Sequence, residues 1–476
     1  MPDYYSEPFI TLAGLTHKSA LIAWGAFYFR VKDSGKEFKL VDDDDLKNIH
    51  PPRSDSIGAT SKSYGPARVE VSDAAGNLVG SFPGEPGKNH CFVSGLTPDT
   101  EYAYRVLVMS GADEEEWAGG PRRNWERVGD KMGLGPKSKS YRNRFRTFPD
   151  PARPSPRPVT FAVIGDFGVG VKKEDERGQR QVAAALEAAL DRHGVRLVLT
   201  TGDNIYRSGG FLGLLGGDTG DEDDDWYFTY YQPYRYVINR VPVYPSIGNH
   251  DSAETEERDD RTQLFDNFYV EERVAGEEKE GRASINPGLF YRFRFGSEAE
   301  FLCIDTSKEP SVFKKRLFEV PKHKEFLAKA LPPAAAGAPA SPVWRIPFCH
   351  HPPFSAGPEH GDTDGMDELV EQFGRAGVRL VLSGHDHDFQ HNRLGGVNYF
   401  VTGAAGKLNE DEPGKSTQAE RVSWAGEYHF LLVTIDGRRA TIRALGALDG
   451  DGNLADVKRE APGGGDVEGE IVIDLP

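Results

Sequence analysis

Seven side chains of metal-ligand type close five separate apolar runs in the chain. They are Asp166 in VIGDFG, Asp203 and Tyr206 in TGDNIY, Asn249 in IGNHD, His350 in FCHHPP, and His385 and His387 in SGHDH. Carboxylate, phenolate, amide and imidazole are the donors that hard-to-borderline metal ions take. Taken singly each block says little: Asp166 alone reads as a turn residue, and Tyr206 alone as a half-buried aromatic. Five blocks in this order, each ending a strand-like run, read as one composite metal site. Spacing leaves His350 and His351 equivalent as donors. A dinuclear site needs a bridging ligand, terminal ligands for each ion and open positions for water and substrate. Two ions held ~3.5–4 Å apart activate a hydroxide and neutralise the oxygens of an in-line displacement at phosphorus. Asp203, just past a strand at a glycine turn, is placed to bridge. Glycines 165, 202, 248 and 384 each precede a ligand or its motif and are expected to let the backbone turn sharply.

The elements that must position these residues alternate between strand and helix from Val159 onward. VTFAVIGD, VRLVLTTGD, VPVYPSIGN, EFLCIDTS, WRIPFCH, VRLVLSGHD and VNYFVTG read as strands, with helices over Arg180 to His193 and around Met366 to Ala376. Gly-Val-Arg-Leu-Val-Leu occurs at 194–199 and again at 377–382. Each copy follows a helix and leads into a ligand-bearing turn, a trace of two related βαβ halves. The expected fold is α/β: a two-sheet βαβ sandwich with flanking helices and ligands on loops past the strand C-termini. EYHFLLVTID and RATIRALG predict an antiparallel hairpin around Gly437 that completes the second sheet, and EIVID a last short strand.

Residues 1–149 read instead as an all-β module. SALIAWGAFYF, ARVEVSD, CFVSGL, EYAYRVLVM and YRNRFRTF are separated by turn signals such as Ala75-Gly76-Asn77. Residues 150–158 form a Pro-rich linker, expected to be a stiff spacer, and 159–476 the chemistry-bearing domain. Gly216–Asp225 reads as a solvated acidic loop without EF-hand spacing, and Ala330–Pro342 as a low-complexity connector.

The composition, 38% hydrophobic and 28% charged over 476 residues, is that of a globular chain. A net charge of -17 argues against a general nucleic-acid or membrane-surface role. Cys91, Cys303 and Cys349 are too few and too odd for a disulfide framework; Cys303 and Cys349 sit in apolar runs and are expected to be buried. The start has neither a basic n-region nor an apolar h-region. The expectation is an intracellular protein or a mature form with its signal removed.

GDFG, GDNIY, GNHD, HHPPFS and GHDH resemble, in wording and order, the calcineurin-like metallophosphoesterase superfamily and within it the purple acid phosphatases. The resemblance covers roughly residues 159 to 405. It implies Asp166, Tyr206 and His387 on a ferric ion, Asn249, His350 and His385 on a divalent ion (iron, zinc or manganese), and Asp203 bridging. It selects His350, two residues before the Pro, as the ligand. It places His250 and His360 near the substrate phosphate as catalytic and substrate-binding groups, with His351 on the substrate side; His391 is left between a site contact and packing. The implied activity is hydrolysis of small phosphomonoesters by a metal-activated hydroxide. A diesterase or nucleotide hydrolase with two divalent ions is the alternative, and a catalytically silent binding or docking module a second. Within the β-module, Leu96-Thr97-Pro98-Asp99-Thr100-Glu101-Tyr102, with Trp24 and the closing FRTF, resembles fibronectin type III domains, where a Tyr hydroxyl bonds back to nearby backbone.

Overall fold

The computed structural model describes residues 4–31, 38–40, 66–110, 113–117, 141–155, 157–170, 177–206, 226–251, 260–279, 285–286, 290–308, 316–334, 343–414 and 417–476. The acidic loop at 216–225 lies outside the described residues, as does most of the Ala330–Pro342 connector.

The N-terminal part is β-rich and forms two antiparallel sheets. One pairs Tyr4–Leu15 with Ser19–Val31, which also pairs with Phe38–Leu40 and His90–Ser94. The other centres on Ala67–Asp73 and Glu101–Ser110, with Leu78–Pro83, Asp113–Glu116 and Arg144–Arg146 beside them. Tyr4–Leu15 is a strand that the segment pattern did not flag. The Thr16 hydroxyl oxygen closes its hairpin by accepting from the N–H groups of Lys18 and Ser19. The tyrosine corner is present: the Tyr102 hydroxyl accepts from the Thr97 N–H at 2.9 Å. Trp24 is buried at the centre of this part.

The remaining residues build a seven-stranded and a ten-stranded sheet. In the first, Val159–Ile164, Val198–Thr200 and Val243–Tyr244 run parallel. In the second, Ala299–Cys303, Trp344–Phe348, Leu380–Ser383 and Val397–Thr402 run parallel. Nearly every residue of these strands is buried, as expected for parallel strands covered on both faces. Each copy of the repeated hexapeptide feeds one sheet. Its glycine ends a helix with positive φ, Gly194 after Arg177–His193 and Gly377 after Asp367–Arg375.

The hairpin of Phe430–Asp436 and Arg439–Leu448 turns at Gly437, and Ile471–Asp474 pairs with its second strand. It completes the first of the two sheets, not the second: Leu431–Ile435 pairs antiparallel with Val159–Val163. Val159–Ile164 opens its sheet and leaves one apolar edge uncovered, and the all-buried Phe430–Val433 stretch is what fits it.

The prolines of 150–158 join two parts already in contact. The Leu12 N–H donates to the Ile238 carbonyl, the Tyr104 hydroxyl to Asn239 and the Tyr244 hydroxyl to Leu15. Phe148 packs on Phe295 at 4.8 Å, and one hydrophobic core runs from Ile10 through Trp24 and Phe148 to Phe301 and Phe400. Cys91, Cys303 and Cys349 are all buried free thiols.

A buried histidine outside the site sets an acid limit on stability. His429 faces the Thr402 hydroxyl at 3.0 Å and the Glu427 carbonyl at 2.8 Å, and burial pushes it down to about 4 from its ordinary 6.5. The unfolded chain therefore takes up this proton first as pH falls. The stability contribution is complete above about 6.5 and is lost progressively toward about 4, by about 3 kcal/mol in all. Denaturant unfolding of the parent and of His429→Gln across that window should show a shallower acid decline in the variant; identical slopes would remove His429 as a cause.

Candidate metal centre

The five blocks meet where the parallel strands of both sheets end. Asp166 follows Val159–Ile164, Asp203 and Tyr206 follow Val198–Thr200, and Asn249 follows Val243–Tyr244; His350 follows Trp344–Phe348, and His385 and His387 follow Leu380–Ser383. The backbone there is not turned as expected. Among the four glycines only Gly202 has positive φ, whereas Asp166, Asp203 and His385 themselves adopt φ of 54°, 47° and 74°. Non-glycine residues in that region are strained by about 1–3 kcal/mol each, and they concentrate at functional sites. Gly248 and Gly384 serve a different need: a Cβ on either would run into the carboxylate of Asp203 or Asp166 respectively.

The donor atoms fall into two groups. The Tyr206 hydroxyl lies 3.1 Å from Asp166 Oδ1 and 3.2 Å from His387 Nε2. His350 Nε2 lies 2.8 Å from Asn249 Oδ1 and 3.1 Å from His385 Nδ1. Asp203 Oδ1 is 3.4 Å from His350 Nε2, and Asp166, Asp203 and His350 offer ligand atoms all within 4.8 Å of one another.

Several features fit this set to cations. His350 Nδ1 faces the Thr201 carbonyl at 2.8 Å, so the proton sits there and Nε2 carries a lone pair. That lone pair lies beside an amide oxygen and another imidazole nitrogen, three donors of metal-ligand type converging on one point. Burial first, and the neighbouring Asp203 charge second, hold the Asp166 carboxyl well above the usual carboxylate range. Burial and the same carboxylates push the Tyr206 phenol up as well. Two fully buried carboxylates side by side need a counter-charge, and metal ions provide one.

The histidines around the donors occupy distinct positions. His250 donates its backbone N–H to Asp203 Oδ1 at 3.0 Å; its ring lies 4.6 Å from the Tyr206 ring, and its buried Nδ1 has no hydrogen-bond partner among the described residues. Burial lowers its pKa, and the Asp203 charge opposes that shift. His360 stacks on His385 at 4.0 Å, its side chain 42% exposed. His351 is buried with Nδ1 3.1 Å from the Thr306 hydroxyl and lines, with His360 and His385, an open cavity of about 660 Å³. His391 packs: its ring stacks on Phe400 and its Nε2 faces Asn398.

Two carboxylates inside the same motifs, Asp251 and Asp386, and a third beside His360, Glu359, escaped the sequence reading. Asp251 accepts from the N–H groups of Asn204, Ile205 and Gly248 and from the Asn204 side-chain amide, tying the Asp203 loop to the Asn249 loop. Asp386 accepts from the Ser355 hydroxyl and the His360 N–H, fixing the loop that carries His360. Glu359 lies 3.3 Å from His387 Nδ1 and accepts from Asn409. Burial opposes its ionised form, but facing His387 and bonding Asn409 hold it below the usual range. Their signal was position, within GNHD and GHDH for the first two and next to His360 for Glu359.

Strand-end donors from the parallel strands of both sheets gather into two groups, an arrangement suited to a pair of cations. Residues 159–389 match the calcineurin-like phosphoesterase family, so the chain carries a calcineurin-like phosphoesterase domain and is a metal-dependent phosphoester hydrolase. Its relatives include Purple acid phosphatase 17 of Arabidopsis thaliana, 24% identical over 55% of this chain and 72% of that one. Purple acid phosphatase 4 of the same plant is 24% identical over 49% of this chain and 63% of its own length. Two solved structures share the fold across almost the whole chain. A purple acid phosphatase from yellow lupin (Lupinus luteus) seeds superposes with a TM-score of 0.62 and 15% identity, over 97% of this chain and 75% of that one. PhoD superposes at 0.59 and 14%, over 98% and 94%.

Proposed function

We propose that the protein hydrolyses phosphomonoesters in the manner of a purple acid phosphatase, with Asp166, Tyr206 and His387 holding a ferric ion and Asn249, His350 and His385 a divalent iron, zinc or manganese. Asp203 would serve both ions. The observation that carries this reading is the Tyr206 hydroxyl between Asp166 and His387. A phenolate favours a trivalent ion. The chemistry such a pair supplies when bound is Lewis acidity and a hydroxide at ordinary pH. The chain's own groups do the rest. His250, whose Nδ1 has no partner among the described residues, hydrogen-bonds the phosphoryl oxygens. His360, exposed and set by Asp386, hands a proton to the leaving alkoxide. His351 shapes the substrate-side wall. The relatives named purple acid phosphatase support this choice of substrate, and we assign 1–149 as a fibronectin-like domain that supports the catalytic one.

The test is a visible spectrum with metal analysis of the protein as isolated, followed by assay on an aryl phosphate. Iron and a purple charge-transfer band are expected. In Tyr206→Phe the band disappears and turnover drops at least about tenfold, a loss of ~1.4 kcal/mol or more in transition-state stabilisation. A colourless, manganese-loaded protein that turns over diesters faster than monoesters would replace this reading with the diesterase.

A further inference from the structure

A second cavity, of about 390 Å³, lies away from the metal centre, where the N-terminal sheets meet the phosphoesterase domain. Its size falls within the ~300–1,000 Å³ of small-molecule sites, and junctions between packed units are where such sites concentrate. The Leu15, Leu21, Phe92 and Phe293 side chains give it an apolar body. Its charged groups are three arginines, 273, 292 and 294, against Glu277 and Glu300, in a chain whose overall charge is -17. Arg292 and Arg294 lie 3.7 and 3.2 Å from Glu300 and offset it.

Arg273 stands apart from these. It is only 8% exposed, yet among the described residues its guanidinium makes one hydrogen bond, from Nη2 to the Val243 carbonyl at 2.6 Å, and its Nε has no partner. The head lies over the Tyr244 ring at 5.1 Å, and no carboxylate pairs with it within ion-pair distance among the described residues. A buried cation without an anion costs several kcal/mol unless something supplies the opposite charge. An arginine fork is matched in geometry by a carboxylate.

We propose that this cavity binds a small organic carboxylate with an apolar or aromatic body, its carboxylate on Arg273 and its body against Leu15, Leu21, Phe92 and Phe293. The site is independent of the phosphoesterase chemistry. The probe is 2-naphthoate, titrated into the full-length, metal-loaded protein by calorimetry, with neutral 2-naphthamide as control and saturating inorganic phosphate present to block anion binding at the metals. Naphthoate should bind in the presence of phosphate. The amide, and naphthoate on Arg273→Gln, should bind at least about tenfold more weakly. If Arg273→Gln does not fold, Arg294→Gln at the more exposed rim should weaken binding by about 2–5-fold, as loss of a screened charge does. No naphthoate binding, equal affinity for the amide, displacement by phosphate, or affinity unchanged in the folded variants would each overturn the assignment.

Discussion

Asp203→Asn should lose at least about 10³-fold in kcat/KM on an aryl phosphate, since bound metal ions contribute several kcal/mol to a phosphoryl transition state and this residue is placed to bridge them. The same substitution should leave the metal-free protein no less stable. Asp203 is 1% exposed and stands beside Asp166, whose carboxyl its charge helps to push up. Removing that charge relieves a repulsion that the fold otherwise carries for the sake of the metals. An amide at the same position still offers its oxygen to the His250 N–H. Two measurements on one variant therefore move apart: metal content and activity collapse, while the unfolding midpoint of the metal-free protein holds or rises. Activity within about tenfold of the parent, less than ~1.4 kcal/mol in transition-state terms, would remove Asp203 from the bridging position. A fall in the metal-free midpoint would instead make its role structural.

The contrast between legible and illegible parts of this site follows from what each residue acts on. The gathering of Asp166, Asp203, Asn249, His350 and His385 was legible because each ends a buried run, where a polar side chain has no place in the core and must face the strand-end opening. Tyr102 was legible for a related reason, its corner being a local motif whose hydroxyl reaches back five residues. Asp251, Asp386 and Glu359 were not. Their partners are backbone N–H groups and side chains drawn mostly from other loops, as far apart in sequence as Glu359 and Asn409, and no periodicity encodes that pairing. The glycines were misread in the same way. Gly248 and Gly384 follow apolar runs and look like turn residues, but what they supply is room for a carboxylate from a different strand. Tyr4–Leu15 was overlooked because Glu7 and Thr11, both buried, interrupt its apolar pattern. The close packing of the two parts, through Leu12, Tyr104 and Tyr244, lies equally beyond any local pattern, so a proline-rich joint looked like a spacer.

Asp251→Ala tests whether an unflagged carboxylate holds the centre together. Its two oxygens accept from Gly248 N and the Asn204 amide at 2.8 Å, Asn204 N at 3.1 Å and Ile205 N at 3.2 Å, all in the fully buried interior. Asn204 in turn donates to the Ser246 carbonyl and accepts from Thr200, so the carboxylate anchors both ligand loops to the strand ends. Burial raises the Asp251 carboxyl to about 7, with the Asp203 charge adding to it and the backbone N–H groups opposing it. Alanine leaves three backbone donors buried without acceptors, at about 1–3 kcal/mol each before relaxation. The expected loss of stability is therefore about 3 kcal/mol or more, read from denaturant midpoints. Activity should fall with it, because Asp203 and Asn249 lose their common tether, and by about 10–100-fold if Asp251 behaves as other supports of metal ligands do. Asp251→Asn retains one acceptor oxygen and should fall between parent and alanine on both measures. A stable Asp251→Ala protein with reduced metal affinity would confine the residue to positioning ligands, whereas full stability and full activity together would show that the two loops are held by other contacts.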